Sequence, residues 1–290
     1  MQRATIGEVE LAYDVRGAGD PLVLVMGIGS QMVFWDDELV DRFVAQGFQV
    51  IRFDHRDIGL SSRLDHLPVP RPGPIVVRSL LSLPVAAPYT LSDMAGDVIG
   101  LLDHLGLDRV HVVGVSMGGM IAQHLAIEHP ARIRSMTSIM STPGKVRLAW
   151  SDPRALAALF GPRPRTADEA AAQTVETFKK IGGAGDEDLP RLQATARVAF
   201  ERGQSPRGFL RHFAAIGASG DRTGRLQGVR TPTLIVHGGR DPLIKPAAGR
   251  ATARAVPGSR YLEFPEMGHF MPKRRWGDIV GAVTDHARRA

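Results

Sequence analysis

The pentapeptide Gly114-Val115-Ser116-Met117-Gly118 has the G-x-S-x-G spacing of a serine nucleophile held in a strand-to-helix turn. An apolar run, Val110 to Val115, leads into it, and an amphipathic helical pattern starts immediately after. So tight a turn needs flanking positions with almost no side chain, and it lifts the central hydroxyl above a sheet at a helix N-terminus. A serine hydroxyl is a poor nucleophile at neutral pH, so it needs a base beside it and an acid to orient that base. Asp241 follows the strand-like run Thr233–His237 through Gly238-Gly239-Arg240, and His269 follows Arg260–Phe264 through Pro265-Glu266-Met267-Gly268. Singly, Asp241 beside Pro242 reads as a turn former and His269 as a surface or core histidine. Together, at later strand ends in the order serine, aspartate, histidine, they read as the orienting acid and the base of acyl transfer. Of the other nine histidines, His111 lies within a strand, His104, His124 and His129 lie on helices, and His237 precedes the acid loop without a strand end of its own.

Acyl transfer also needs two donors where the oxyanion develops. The amide of Met117 supplies one. Ile28, in Met26-Gly27-Ile28-Gly29, is the candidate for the other, because the glycines free the backbone to turn that amide inward. Gly27 and Trp35 are the candidate substrate contacts. The Gly-rich turn matches neither a G-x-x-x-x-G-K-[ST] nor a G-x-G-x-x-G phosphate loop. The polar stretch Asp54-His55-Arg56-Asp57-Ile58-Gly59-Leu60-Ser61-Ser62 reads as a hydrogen-bonded loop bracing the elbow. Without cysteine or a second histidine at ligand spacing, no metal is expected there.

The elements that must position these groups alternate, which argues for an α/β fold around a mostly parallel sheet. Strands are expected at Val9–Val15, Leu22–Met26, Gln49–Phe53, Arg109–Val115, Ile133–Ile139, Thr233–His237 and Arg260–Phe264. Helices are expected at Phe34–Gln46, Met117–His129, Pro246–Val256 and Trp276–Arg288. Leu91, Met94, Ala95, Val98, Leu101, Leu102 and Leu105 fall at helical spacing, with a capping-box start at Thr90 and Asp93 and a stop at Gly106. After Pro143 strand-like runs cease until Thr233. Four helical patterns fill that gap: Pro153–Phe160, Ala167–Ile181, Leu189–Gly203 and Gly208–Ala218. The expected organisation is a sheet core, 1–142 and 229–290, carrying a helical cap at 143–228. The Pro-rich segment 63–89 is long enough to add to that lid.

With 290 residues, 43% hydrophobic and 23% charged, the chain can bury a sizeable core, which excludes a disordered or collagen-like chain. It has no cysteine, so disulfides, thiolate nucleophiles and Cys-based zinc sites are excluded. The N-terminus lacks a basic n-region followed by an apolar h-region, and the most apolar stretch is broken by Arg78, Pro84 and Pro88. A soluble, cytoplasmic protein is expected. Segment 143–228 holds 14 Lys plus Arg against 9 Asp plus Glu, so it carries +5 of the net +6. No nucleic-acid partner is expected, because that block has neither aromatic interleaving nor a binding motif. The charge reads as a solvated outer cap face, and the sharper alternative is a cap that attracts acidic substrates.

These motifs resemble the α/β-hydrolase superfamily over the chain outside the helical insertion. Within it, the chain is similar to the group that includes the aclacinomycin methylesterases. The resemblance rests on Leu24-Val25-Met26-Gly27, where Met replaces the more usual His-Gly; on Arg52 through Ser62; on His111 through Gly119; and on Asp241 and Gly268-His269. It implies a Ser116–Asp241–His269 triad, oxyanion amides from Ile28 and Met117, a helical cap and no cofactor. Expected substrates are small-to-medium hydrophobic carboxylic esters in a mainly apolar pocket. Thioesterase, carbon–carbon bond hydrolase and cofactor-free perhydrolase chemistry use the same machinery. A ligand-binding, receptor-like module with incidental turnover is the alternative from another class. Ser116 argues against the epoxide hydrolases and haloalkane dehalogenases of this fold, which carry Asp at the elbow.

Overall fold

In a computed structural model, which describes residues 1–145 and 152–290, the strands form one eight-stranded sheet. They are β1 (Gln2–Ile6), β2 (Val9–Arg16), β3 (Asp20–Val25), β4 (Phe48–Phe53), β5 (Val110–Val115), β6 (Ile133–Ile139), β7 (Thr233–Gly238) and β8 (Arg260–Phe264), in the order β1-β2-β4-β3-β5-β6-β7-β8. β2 runs antiparallel to both its neighbours, and every pairing from β4 onward is parallel.

The central strands are buried on both faces, which is why they read as unbroken apolar runs. Val23 and Val25 of β3 join a core on one face with Met94, Val98 and Leu102, while Leu22 and Leu24 join a second core with Phe43, Trp276 and Val283 on the other. Each fully buried Leu or Val there contributes about 1.5–3 kcal/mol over an exposed one. The first core is covered by α3 (Leu91–His104), α4 (Met117–Glu128) and α10 (Pro246–Ala255), and the second by α1 (Asp37–Val44) and α11 (Trp276–Ala287). The expected capping box starts α3: the Thr90 side chain accepts from the Asp93 amide at 3.2 Å, and the Asp93 carboxylate accepts from the Thr90 amide at 2.7 Å.

One local expectation needs correction, and two elements lie outside the expected set. The helix expected over Phe34–Gln46 is a 3-10 turn at Met32–Phe34 followed by α1, because the Asp36 side chain accepts from the Glu38 amide at 2.9 Å and starts the helix there. The strand β1 was not anticipated, since only Ala4 of its five residues is buried. Segment 63–89 contains a helix, α2 (Pro72–Leu80), with proline in its first turn.

Between β6 and β7 the described elements are all helical: α5 (Pro153–Ala158), α6 (Ala167–Lys180), a 3-10 turn at Asp186–Asp188, α7 (Leu189–Glu201), α8 (Pro206–Ala218) and the short α9 (Thr223–Leu226). α6 packs on α7, and α2 packs on α8. A β-carbon at Gly217 of α8 would approach Ile75 of α2 to 3.0 Å, so segment 63–89 is in contact with this block. Arginines fasten the block to the sheet unit. Arg211 is fully buried and pairs with fully buried Asp57 at 2.7 Å, while Arg202 pairs with Asp54. Arg222, also buried, donates to Gln123 Oε1 at 3.1 Å and to the Thr142 carbonyl at 2.9 Å. The expectation of a solvated basic face is corrected to this extent: part of the charge lies inside and joins the two parts. Among the described residues no helix is long and apolar enough to cross a membrane.

Candidate active site

Ser116 sits between β5 and α4 with φ 56° and ψ −117°, a left-handed conformation that costs a non-glycine residue about 1–3 kcal/mol. The surroundings hold it there. Its amide donates to the Ile139 carbonyl at 2.9 Å, and its carbonyl accepts from Ser141 Oγ at 2.8 Å. The flanking glycines are steric requirements: a β-carbon on Gly114 would lie 2.1 Å from the Gly118 carbonyl oxygen, and one on Gly118 would lie 2.0 Å from that of Val25.

The loops after β7 and β8 bring the other two groups together. His269 Nδ1 donates to Asp241 Oδ2 at 2.7 Å, which leaves Nε2 as the ring's acceptor. The second oxygen, Asp241 Oδ1, accepts the amides of Leu243 and Ile244 at 2.9 and 2.8 Å, so the carboxylate is fixed in plane. His237 is not a rival base. Its Nε2 donates to the Ile244 carbonyl at 2.9 Å, which braces the acid loop, and burial pushes its pKa down. The His269 amide donates to the Ile181 carbonyl at 3.1 Å, which ties the loop after β8 to the end of α6.

Ser116 and His269 both open onto a cavity of about 400 Å³ that also receives Gly27 and Ile28. Its wall is mainly apolar, with Phe34, Phe178, Phe200, Phe209, Phe270 and Trp276 among the lining side chains. Trp35 is not a lining residue: it is buried in the core beside Leu39 and Trp276, and its neighbour Phe34 takes the place on the cavity. Met117 carries its side chain into the opposite core, leaving its amide at the first turn of α4. Neither that amide nor the amide of Ile28 has an acceptor among the described residues. The aromatic lining escaped the sequence reading because it comes from well-separated elements, none of which carries a motif.

The loop bearing Ile28 is held from two sides. His55, in the polar stretch after β4, donates Nε2 to the Met26 carbonyl at 2.9 Å, so this stretch braces the loop that bears Ile28. From α8, His212 Nε2 donates to the Arg56 carbonyl at 2.9 Å, which leaves Nδ1 to accept from the Gly29 amide at 3.4 Å. Asp54 and Asp57, adjacent to His55 and Arg56, serve as acceptors for amides and arginines. No three-residue group suited to a metal occurs among the described residues.

Burial lowers the His55 pKa to about 4 and that of His212 to about 3. Both are neutral in the folded protein at pH 7, whereas the unfolded chain takes up their protons near pH 6.5. Stability contributed by the neutral form is therefore present above pH 6.5 and is lost as pH falls toward 4. The midpoint of urea unfolding is expected to drop steadily from pH 7 to pH 4.5, and a midpoint that stays flat across that range would contradict the burial of neutral imidazoles.

A family model for the alpha/beta hydrolase fold matches residues 20–273. The chain is 28% identical, over all of its length and 99% of the relative's, to a rhodomycin D methylesterase of Streptomyces peucetius. It is also 28% identical, over 90% of its length and 91% of the relative's, to a putative non-heme bromoperoxidase of Mycobacterium tuberculosis. Among solved structures, the enol-lactonase from Burkholderia xenovorans matches with a TM-score of 0.74 at 25% identity, covering 99% of this chain and 100% of that one.

Proposed function

Because the chain belongs to the α/β-hydrolase fold family, we propose that it hydrolyses carboxylic esters with Ser116 as nucleophile, His269 as base and Asp241 as orienting acid. The observation that carries this is the 2.7 Å bond from His269 Nδ1 to Asp241 Oδ2, behind a cavity onto which both Ser116 and His269 open. His269 Nε2 takes the Ser116 proton as Oγ attacks the ester carbonyl, and Asp241 stabilises the imidazolium. The negative charge that develops on the carbonyl oxygen meets the amides of Met117 and Ile28, which have no other acceptor among the described residues. His269 then passes the proton to the leaving alcohol, an acyl-enzyme remains, and a water deprotonated by His269 releases the acid. No step needs a cofactor.

The helices of 143–228 act in this reading as a cap. Phe178, Phe200 and Phe209 from these helices line the cavity onto which Ser116 opens, which suits a small-to-medium hydrophobic ester. Two of the similar proteins, the rhodomycin D methylesterase and the enol-lactonase, are named for ester-bond chemistry, which supports the same reading.

The test is a panel of 4-nitrophenyl acyl esters from acetate to decanoate, run beside matched thioesters. Turnover is expected on the esters with an optimum at intermediate chain length. A wild-type protein that turns over thioesters but no ester would move the assignment to thioesterase. One silent on both would favour a ligand-binding module.

A further inference from the structure

Among the described residues, the cavity wall carries one arginine, no lysine and no carboxylate. That residue, Arg191, is flanked by carboxylates, with Nη2 3.0 Å from Asp188 and Nη1 3.6 Å from Asp36, and its guanidinium stacks 4.7 Å above the Trp276 ring, while its buried Nε has no hydrogen-bond partner among the described residues.

The mouth differs. A second cavity shares Pro164, Phe200 and Gln204 with the first and is completed by Pro162, Arg163 and Arg165. Both arginines are exposed. Most arginines of 143–228 are paired: Arg191, Arg197, Arg202, Arg207, Arg211 and Arg225 each have a carboxylate partner. The Arg163 and Arg165 side chains have none among the described residues, and the carboxylate of Glu169 nearby is taken by the backbone amide of Arg165 at 2.6 Å. Pro162 and Pro164 fix φ on either side of Arg163, so less backbone freedom is lost when this rim is ordered.

We infer that Arg163 and Arg165 form an anion subsite at the pocket mouth, so that preferred substrates carry an apolar body into the cavity and leave a carboxylate or phosphate outside at the rim. This rests on the ester-hydrolase reading and names the substrate class for the same site. Two unpaired guanidiniums beside a low-dielectric opening attract an anion during encounter and hold it without the cost of burying it. The chain's surplus of positive charge thereby gains a specific location.

The test compares 4-nitrophenyl esters of one chain length that end in a carboxylate, a phosphate or a methyl group, on wild type and on R163Q/R165Q. In wild type, kcat/KM for both anionic esters is expected to exceed that for the methyl-terminated ester. In the variant that advantage should shrink by about 5- to 20-fold, the neutral ester should stay within about twofold, and raising NaCl from 20 to 500 mM should erode the wild-type advantage alone. Loss of preference for only one of the two anions still supports the subsite and identifies its ligand. Equal preference in variant and wild type, or a preference untouched by salt, overturns it. Failure of the hydrolase reading is separated by direct binding of monomethyl suberate to S116A and to S116A/R163Q/R165Q. Salt-sensitive affinity that falls in the triple variant supports the subsite without turnover, and equal affinities overturn it.

Discussion

Replacing Ser116 with alanine is expected to lower kcat for ester hydrolysis by about 10⁴- to 10⁶-fold, with KM and the melting temperature little changed. The loss falls on kcat because Oγ forms the new bond, while the walls that bind the substrate come from other residues, such as Phe34, Phe178 and Phe209. Stability should hold because the elbow is fixed through the backbone of Ser116, by the Ile139 carbonyl and Ser141 Oγ, and not through its side chain. His269→Ala should cost a similar factor, and S116A/H269A little more than either alone, since nucleophile and base act as one unit. Steady-state kinetics on the best 4-nitrophenyl ester provides the check. An alanine variant that keeps a tenth or more of wild-type kcat would show that Ser116 is not the nucleophile.

The second large effect concerns the joint between the helical block and the sheet unit. Arg211 meets Asp57 through two nearly parallel bonds, Nε to Oδ2 at 2.8 Å and Nη2 to Oδ1 at 2.7 Å, with both side chains fully buried. Tyr89 Oη donates to Asp57 Oδ2 at 2.7 Å and the Leu64 amide to Oδ1 at 2.7 Å, so the carboxylate's acceptors are filled. Burial raises the Asp57 pKa, but its bonds to Arg211, Tyr89 and Leu64 outweigh that, and the carboxyl is held below the usual range. Truncating one partner strands the other's charge in the interior, so R211A is expected to destabilise the protein by about 3–5 kcal/mol. D57N/R211A removes both charges and should cost less than the sum of D57N and R211A alone. Urea unfolding of the four proteins measures the coupling, and additive effects would mean that the pair is not acting as a buried ion pair.

How far this was legible in the residues depended on whether a local pattern or a distant contact decided the outcome. The strands β3 and β5 were plain because burial on both faces makes them continuously apolar. The elbow was plain because the closeness of Gly118 to the Val25 backbone admits no side chain. The ends of α3 were plain because Thr90, Asp93 and Gly106 are local signals. Asp241 and His269 could be named from their places after β7 and β8. By contrast α2, behind a run of prolines, lies against α8 far along the chain, and nothing within Pro72–Leu80 announces that contact. The same holds for Arg211, Arg202 and Arg222, which in sequence look like any surface arginines and in the fold lie largely inside. Trp35 missed the cavity by one residue because the 3-10 turn at Met32–Phe34 sends Phe34 there instead. His212, which reaches from α8 to the Gly29 amide, belongs to no motif and sits beside Arg211 on the buried face of that helix.

The central claim is that a covalent acyl-enzyme forms on Ser116, and intact-mass spectrometry of a quenched reaction tests it most directly. Wild-type protein mixed with excess 4-nitrophenyl ester and quenched in acid is expected to gain the mass of one acyl group, which peptide mapping places on Ser116, while S116A gains none. A wild-type protein that releases product without any adduct, or an adduct on another residue that persists in S116A, would contradict the account.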